Sequence, residues 1–109
     1  MAWQKAMDLV DTVYDASEGW PKDEIFGLRS QTRRAVVSVP ANIAEGKERT
    51  GAREWAHHLS IAHGSPWETE TLLHVARRRK YVKQEALEEL LDLSKEVSWL
   101  IRGLLKTLH

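Results

Sequence analysis

Apolar residues recur at three- and four-residue intervals in four separate blocks of this chain, and the breaks between blocks are short. That spacing matches the turn of an α-helix, and no run alternates with the period of two that a half-buried strand needs. Residues 2–17 set Trp3, Ala6, Met7, Val10 and Tyr14 on one side and Lys5, Asp8, Asp11, Thr12 and Asp15 on the other. A first helix with its Trp3–Tyr14 face turned inward is expected, stopped by Glu18, Gly19, Trp20 and Pro21. A second should run from about Pro21 or Asp23 to Gly46, with Leu28, Thr32, Ala35, Val36, Val39 and Ile43 as its core stripe. Pro40 falls inside it. The proline ring crowds the Val36 carbonyl and its nitrogen has no proton to donate, so a kink is expected near Pro40. The stripe keeps its register on both sides, which favours a bend over a break.

A charged turn at 47–51, with Thr50 as candidate cap, leads into a third helix reaching about Arg79. Trp55, Leu59, Ala62, Pro66, Thr69, Leu73 and Ala76 share one stripe of that helix. Ser65-Pro66-Trp67-Glu68 also has the pattern of a fresh helix start, with Ser as cap, Pro at the first position and Glu three residues after the cap. The unbroken stripe favours one helix kinked between Ala62 and Pro66. Tyr81 to Lys83 form a connection, and residues 84–108 a last helix. Its inner side carries Leu87, Leu90, Leu91, Val97, Ile101, Leu105 and Leu108, while Ala86, Leu93, Leu100 and Leu104 widen the band to about half the circumference. One bundle face needs less. Helix two offers Val37 and Ala41 behind its stripe, and helix three offers Ile61, Leu72 and Val75. An oligomer interface built from Val37, Ala41, Ile61, Leu72, Leu93, Leu100 and Leu104 is therefore expected; scattered surface residues are the plainer alternative. Four helices with short connections predict an all-α, antiparallel up-down-up-down four-helix bundle occupying residues 1–109 as one domain.

A chain of 109 residues with 42% hydrophobic content can bury one small core. The absence of cysteine removes disulfide frameworks, zinc ribbons and thiol nucleophiles from consideration. Without a leader-like start or a long apolar run, the expectation is a soluble cytoplasmic protein with no membrane partner. Formal net charge is zero, yet the charges are segregated. Residues 77–83 carry five basic groups and no acid, and residues 29–53 carry six basic groups against two acidic. An up-down topology brings the 18–23 and 80–83 connections to one end. Lys22, Arg29 and Arg33 should there meet Arg77, Arg78, Arg79, Lys80 and Lys83. Phosphate backbone is the ligand such a cluster suits, with Tyr81 or Trp20 available to stack on an unpaired base. The plainer reading is a solvated face, or cations that complement the dipole at a helix C-terminus. A weaker basic group, Lys47, Arg49 and Arg53, belongs to the opposite end.

Catalytic patterns are sparse. Glu54 and His57 have the Glu-x-x-His spacing of di-metal carboxylate bundles, but such sites need that pair from two helices, and Glu70 and His74 are four apart instead of three. Neither a nucleophile elbow nor a phosphate-cradling glycine loop is present. No catalytic residue, metal site or cofactor is expected. Asn42, at the edge of the core stripe, is expected to hydrogen-bond backbone freed by Pro40, while Arg34 and Glu45 point toward solvent or a neighbouring subunit.

The run Arg29-Ser-Gln-Thr-Arg33-Arg34-Ala35-Val-Val-Ser38-Val-Pro40-Ala-Asn42-Ile-Ala-Glu45-Gly46 resembles the signature of the four-helix-bundle family of ribosomal RNA intervening-sequence proteins. The opening Trp3-Gln4-Lys5-Ala6-Met7-Asp8-Leu9, the turn Trp20-Pro21-Lys22-Asp23-Glu24 and the run Leu59-Ser-Ile-Ala62-His-Gly64-Ser65 are similar to it as well. Ser38, Pro40, Asn42, Glu45 and Gly46 are its specific core. The resemblance implies an antiparallel four-helix bundle that assembles as a ring-shaped pentamer and has no established enzymatic activity. Relatives include the accessory proteins of diversity-generating retroelements, which bind nucleic acid and work with a reverse transcriptase. It follows that this chain should be a non-enzymatic homo-oligomer associated with RNA or DNA, with a reverse transcriptase or ribosomal component as candidate partner. A protein-only scaffold is the first alternative and a metal-dependent enzyme a distant one.

Overall fold

Four helices account for nearly all of the backbone in the computed structural model, which describes residues 1–48 and 51–108. They are α1 (Ala2–Ser17), α2 (Leu28–Glu48), α3 (Ala52–Arg78) and α4 (Gln84–Lys106), with one 3-10 turn, Lys22–Glu24, between α1 and α2. Among the described residues there is no strand. At 1.5 Å per residue the 27 residues of α3 measure about 40 Å, close to the 43 Å long axis of the molecule, so this helix runs its whole length. Packing is cyclic: α1 lies against α2 and α4, and α3 against α2 and α4.

The register can be followed from side chain to side chain. Arg29 and Arg33 of α2 reach back to Glu18 and Tyr14 at the end of α1. Along the α2–α3 seam Ser38 meets Ser65 while Asn42 meets His58. Between α3 and α4, Arg77 donates to Gln84, and Ser94 donates to Glu70. In each pair the numbering rises on one helix as it falls on the other.

Most of the expected stripes are buried. Val36, Val39, Leu59, Ala62, Leu73, Ala76, Val97 and Ile101 have no accessible surface, and Leu90 almost none. In α1 the inward face differs from the expectation. Ala2, Ala6, Leu9, Val13 and Ser17 are buried, whereas Trp3 and Tyr14 are 44% and 38% exposed and Met7 and Val10 are half-buried. Ala6 is buried as expected, but Leu9 and Val13 take the inward places of Met7 and Val10, a rotation of roughly one residue that leaves the two largest side chains of the expected face at its edge. The start of α2 also moves, from Pro21 or Asp23 to Leu28. Glu24 ends the 3-10 turn, and its carboxylate accepts the Leu28 N–H at 3.1 Å, filling the first orphan-donor position of the helix.

Pro40 and Pro66 both lie within continuous helix and are buried. Hydroxyls crowd the turn around Pro66: Ser65 donates to the Ile61 carbonyl at 3.1 Å and Thr69 to the Ser65 carbonyl at 2.9 Å. Near Pro40, Asn42 Nδ2 donates to the Ser38 carbonyl at 2.8 Å. The carbonyl that Pro40 deprives of a donor is that of Val36, so Asn42 does not replace the missing bond. Its other end is committed across the seam: Nδ2 must donate to Ser38, so Oδ1 accepts from His58 Nδ1 at 3.1 Å.

The α2–α3 seam closes at Gly46. A Cβ there would lie 2.7 Å from the Trp55 ring and 2.8 Å from the His58 Cβ, so only glycine permits this approach. Beyond it, Gly51 is the N-cap of α3 with φ of 94°, a conformation that suits glycine. Arg49 of the second basic group and the candidate cap Thr50 lie outside the described residues.

The wide apolar band of α4 is largely consumed inside the molecule. Ala86, Leu91, Leu93, Leu100, Leu104, Leu105 and Leu108 are half-buried and pack on the core. Leu100 and Leu104 also line a cleft of about 680 Å³ with Trp3, Ile43, Trp55 and Lys47, at the end where α1 begins.

Candidate nucleic-acid interface

The α1–α2 and α3–α4 connections meet at one end of the bundle, fastened by Glu24. One carboxylate oxygen takes the Leu28 N–H; the other accepts the Tyr81 hydroxyl at 2.9 Å. These two hydrogen bonds and the nearby Arg79 hold the Glu24 carboxyl below its ordinary pKa. Trp20, buried, sets its ring against Tyr81 with centroids 5.9 Å apart. Trp20 is therefore closed as a base-stacking platform, contrary to the expectation from the sequence. Tyr81 is half-buried, with its hydroxyl committed to Glu24 and its ring beside Trp20.

The eight expected cations divide into two groups. Arg33 is spent on the end of α1: Nε donates to the Ser17 hydroxyl at 2.8 Å, and one Nη donates to the Tyr14 carbonyl at 3.0 Å and to Glu18 at 3.2 Å. Its guanidinium also lies 4.3 Å from the Tyr14 ring centre. Arg29 pairs with the same Glu18 at 3.4 Å. A positive group among the last carbonyls of a helix complements its dipole, and here the cation comes from the neighbouring helix. Arg77, half-buried, donates to Gln84 at 3.1 Å. Lys22, Arg78, Arg79, Lys80 and Lys83 are exposed, and among the described residues none of them has an ion-pair partner within 4 Å.

Lys80 holds an uncommon position. The end of α3 is a Schellman turn, with the Lys80 N–H bonded to the Arg77 carbonyl and the Tyr81 N–H to the Ala76 carbonyl, each at 2.9 Å. Its left-handed residue, ordinarily glycine, is Lys80 with φ of 67°. Holding a side chain there costs on the order of 1 kcal/mol.

The expected interface residues divide between exposed and half-buried positions. Val37 is 39% exposed and shares a groove with Tyr14, Ile25, Arg29, Arg33 and Arg34. Ala41 and Ile61 are exposed, Leu72 is half-buried, and Leu93, Leu100 and Leu104 pack on the core. Arg34 is exposed and donates to Ser30; Glu45 is exposed. Among the described residues no three His, Asp or Glu side chains converge as a metal site would require, and His58 is committed to Asn42.

The pattern of a described protein family, 23S rRNA-intervening sequence protein, matches residues 1–103. The chain belongs to that family. A search of curated proteins gives no match. Among solved structures, the crystal structure of a protein of unknown function from the S23 ribosomal protein family of Bacteroides thetaiotaomicron superposes with a TM-score of 0.86 at 23% identity. The match covers 97% of this chain and 99% of that one. This likeness establishes a shared fold.

In this intervening-sequence protein, three of the five motif residues meet α3. Ser38, Asn42 and Gly46 recur every fourth residue, and each meets α3: Ser65, His58, and Trp55 with His58, respectively. A row of small and polar groups at that spacing lets two helices approach closely along a shared ridge. Lys80 was expected among the cations of the basic end, but it carries no local signal for its left-handed conformation. Phe26 was not expected there at all. Phe26 stands off every stripe, between Pro21 and Gly27, and is 94% exposed.

Proposed function

We propose that this intervening-sequence protein is a non-enzymatic, RNA-associated accessory protein that acts in the cytoplasm as a homo-oligomer, with a pentameric ring the favoured assembly. Its protein partner would be a ribosomal component or a reverse transcriptase. The observation that carries the RNA reading is the set of five exposed cations, Lys22, Arg78, Arg79, Lys80 and Lys83, at the end where the two connections meet. A lysine kept at a position cheaper for glycine supports the same reading, because backbone strain persists where a side chain has another use. RNA is taken as the nucleic acid because the family description names 23S rRNA, the one nucleic acid to which it links these proteins. Exposed Val37, Ile61, Trp67 and Trp99 support oligomerisation.

Fluorescence anisotropy with a labelled single-stranded RNA over a salt series tests the reading. Each phosphate neutralised contributes about 0.7 to the slope of log K against log salt for single strands, so engagement of all five cations gives a slope of roughly −3.5. Arg78→Ala with Arg79→Ala should weaken binding and lower the slope by about 1.4. A protein-only scaffold, favoured by the 65% and 68% exposure of Trp67 and Trp99, would bind no RNA even at low salt. For the assembly, light scattering at micromolar concentration should give a mass several times the 12.5 kDa of one chain; a monomer contradicts the oligomer.

A further inference from the structure

With Trp20 buried and Tyr81 tied to Glu24, the aromatic group left open at the basic end is Phe26. It is 94% exposed, the most exposed of the large apolar side chains among the described residues. The turn that carries it is well bonded. Glu24 N–H donates to the Pro21 carbonyl at 2.9 Å, and Ile25 N–H to Lys22 and Gly27 N–H to Glu24, both at 3.1 Å. Glu24 then pins the turn to Leu28 on one side and to Tyr81 on the other. Phe26 is thus a ring in water on a braced support, with Lys22 four residues before it and the Arg79–Lys80 corner fastened beside its turn.

We propose that Phe26 is a stacking platform for an unpaired nucleobase, with Lys22, Arg79 and Lys80 holding the flanking phosphates, so that this end prefers single-stranded RNA to duplex. The inference rests on the RNA reading above and adds its specificity. An exposed ring with Lys22 on its own turn and the Arg79–Lys80 corner across from it fits the two faces of a nucleotide, one flat and apolar, one anionic. Of the two carboxylates on the turn, Glu24 is bonded to Leu28 and Tyr81, and Asp23 is exposed. Duplex bases are already stacked on each other and offer Phe26 no face. A membrane would ask for several apolar groups on one amphipathic surface, and the other large apolar side chain exposed on this turn is Ile25, at 40%.

The test is anisotropy with a labelled unstructured RNA of about 12 nucleotides and with a duplex of equal length, using the full chain, Phe26→Ala and Phe26→Trp. Because Phe26 is exposed, both variants should melt with the wild type by circular dichroism. Loss of one base–aromatic stack should weaken single-strand binding by about tenfold or more in Phe26→Ala, leave duplex binding unchanged, and be reversed in Phe26→Trp. Wild-type affinity for the single strand in Phe26→Ala would overturn the platform while leaving the RNA reading intact. Absence of binding by the wild type to either RNA would remove both. Phe26-dependent sedimentation with phosphatidylserine vesicles, with no effect on RNA, would overturn the platform in favour of a membrane contact.

Discussion

At the scale of single residues, two positions carry information that spacing alone does not. Gly46 allows α2 to lie against Trp55 and His58, and a methyl group there would stand under 3 Å from both. Gly46→Ala should therefore destabilise the fold by about 1–3 kcal/mol, the usual range for overpacking, despite the better helix propensity of alanine. Urea denaturation measures this directly; a stabilised variant would show that the seam can open freely. Lys80 is the converse case. Lys80→Gly should relieve the left-handed conformation and raise stability by about 1 kcal/mol, seen as a higher midpoint in urea, while weakening RNA binding. The motif residues Asn42 and Gly46 were recognisable in the sequence, but their partners His58 and Trp55 were not, since a pattern on one helix does not name what faces it.

At the scale of elements, the stripes of α2, α3 and α4 could be read from spacing because large aliphatic side chains mark their inner faces. The face of α1 could not. Its buried positions include Ala2, Ala6 and Ser17, whereas Trp3 and Tyr14 stay partly in water. Fragmentation at the basic end escaped a charge count for a similar reason: Arg33 looks like Arg78 in sequence, but Arg33 lies against the end of a neighbouring helix and bonds it. The junction of α2 with its preceding turn depends on Glu24, whose carboxyl is held below its ordinary pKa by the Leu28 N–H, then the Tyr81 hydroxyl, then Arg79. A group with a lowered folded pKa stabilises fully above its unfolded pKa, and that contribution is lost as pH falls through the folded value. Stability should therefore decline on acidification below the ordinary carboxylate range, and Glu24→Gln should be less stable at neutral pH with a flatter acid limb. Equal acid limbs in thermal melts of the two proteins would show that Glu24 is not the linked group.

At the scale of the whole molecule, charge is neutral in sum and uneven in place. α1 ends among arginines that answer its own carbonyls and Glu18, while Lys22 and the cations around the end of α3 face outward at the same end. The all-α class, the number of helices and the family were legible from periodicity and from the motif; which cations stayed free depended on distances no sequence states. The central claim is that RNA engages the end where the two connections meet. Amide chemical shifts of the isotopically labelled chain, recorded as single-stranded RNA is added, test it most directly. The account predicts that the largest changes fall at residues 22–27 and 78–83, and that they vanish at high salt. Changes centred instead on the opposite end, around the cleft lined by Trp3, Lys47 and Trp55, would contradict it.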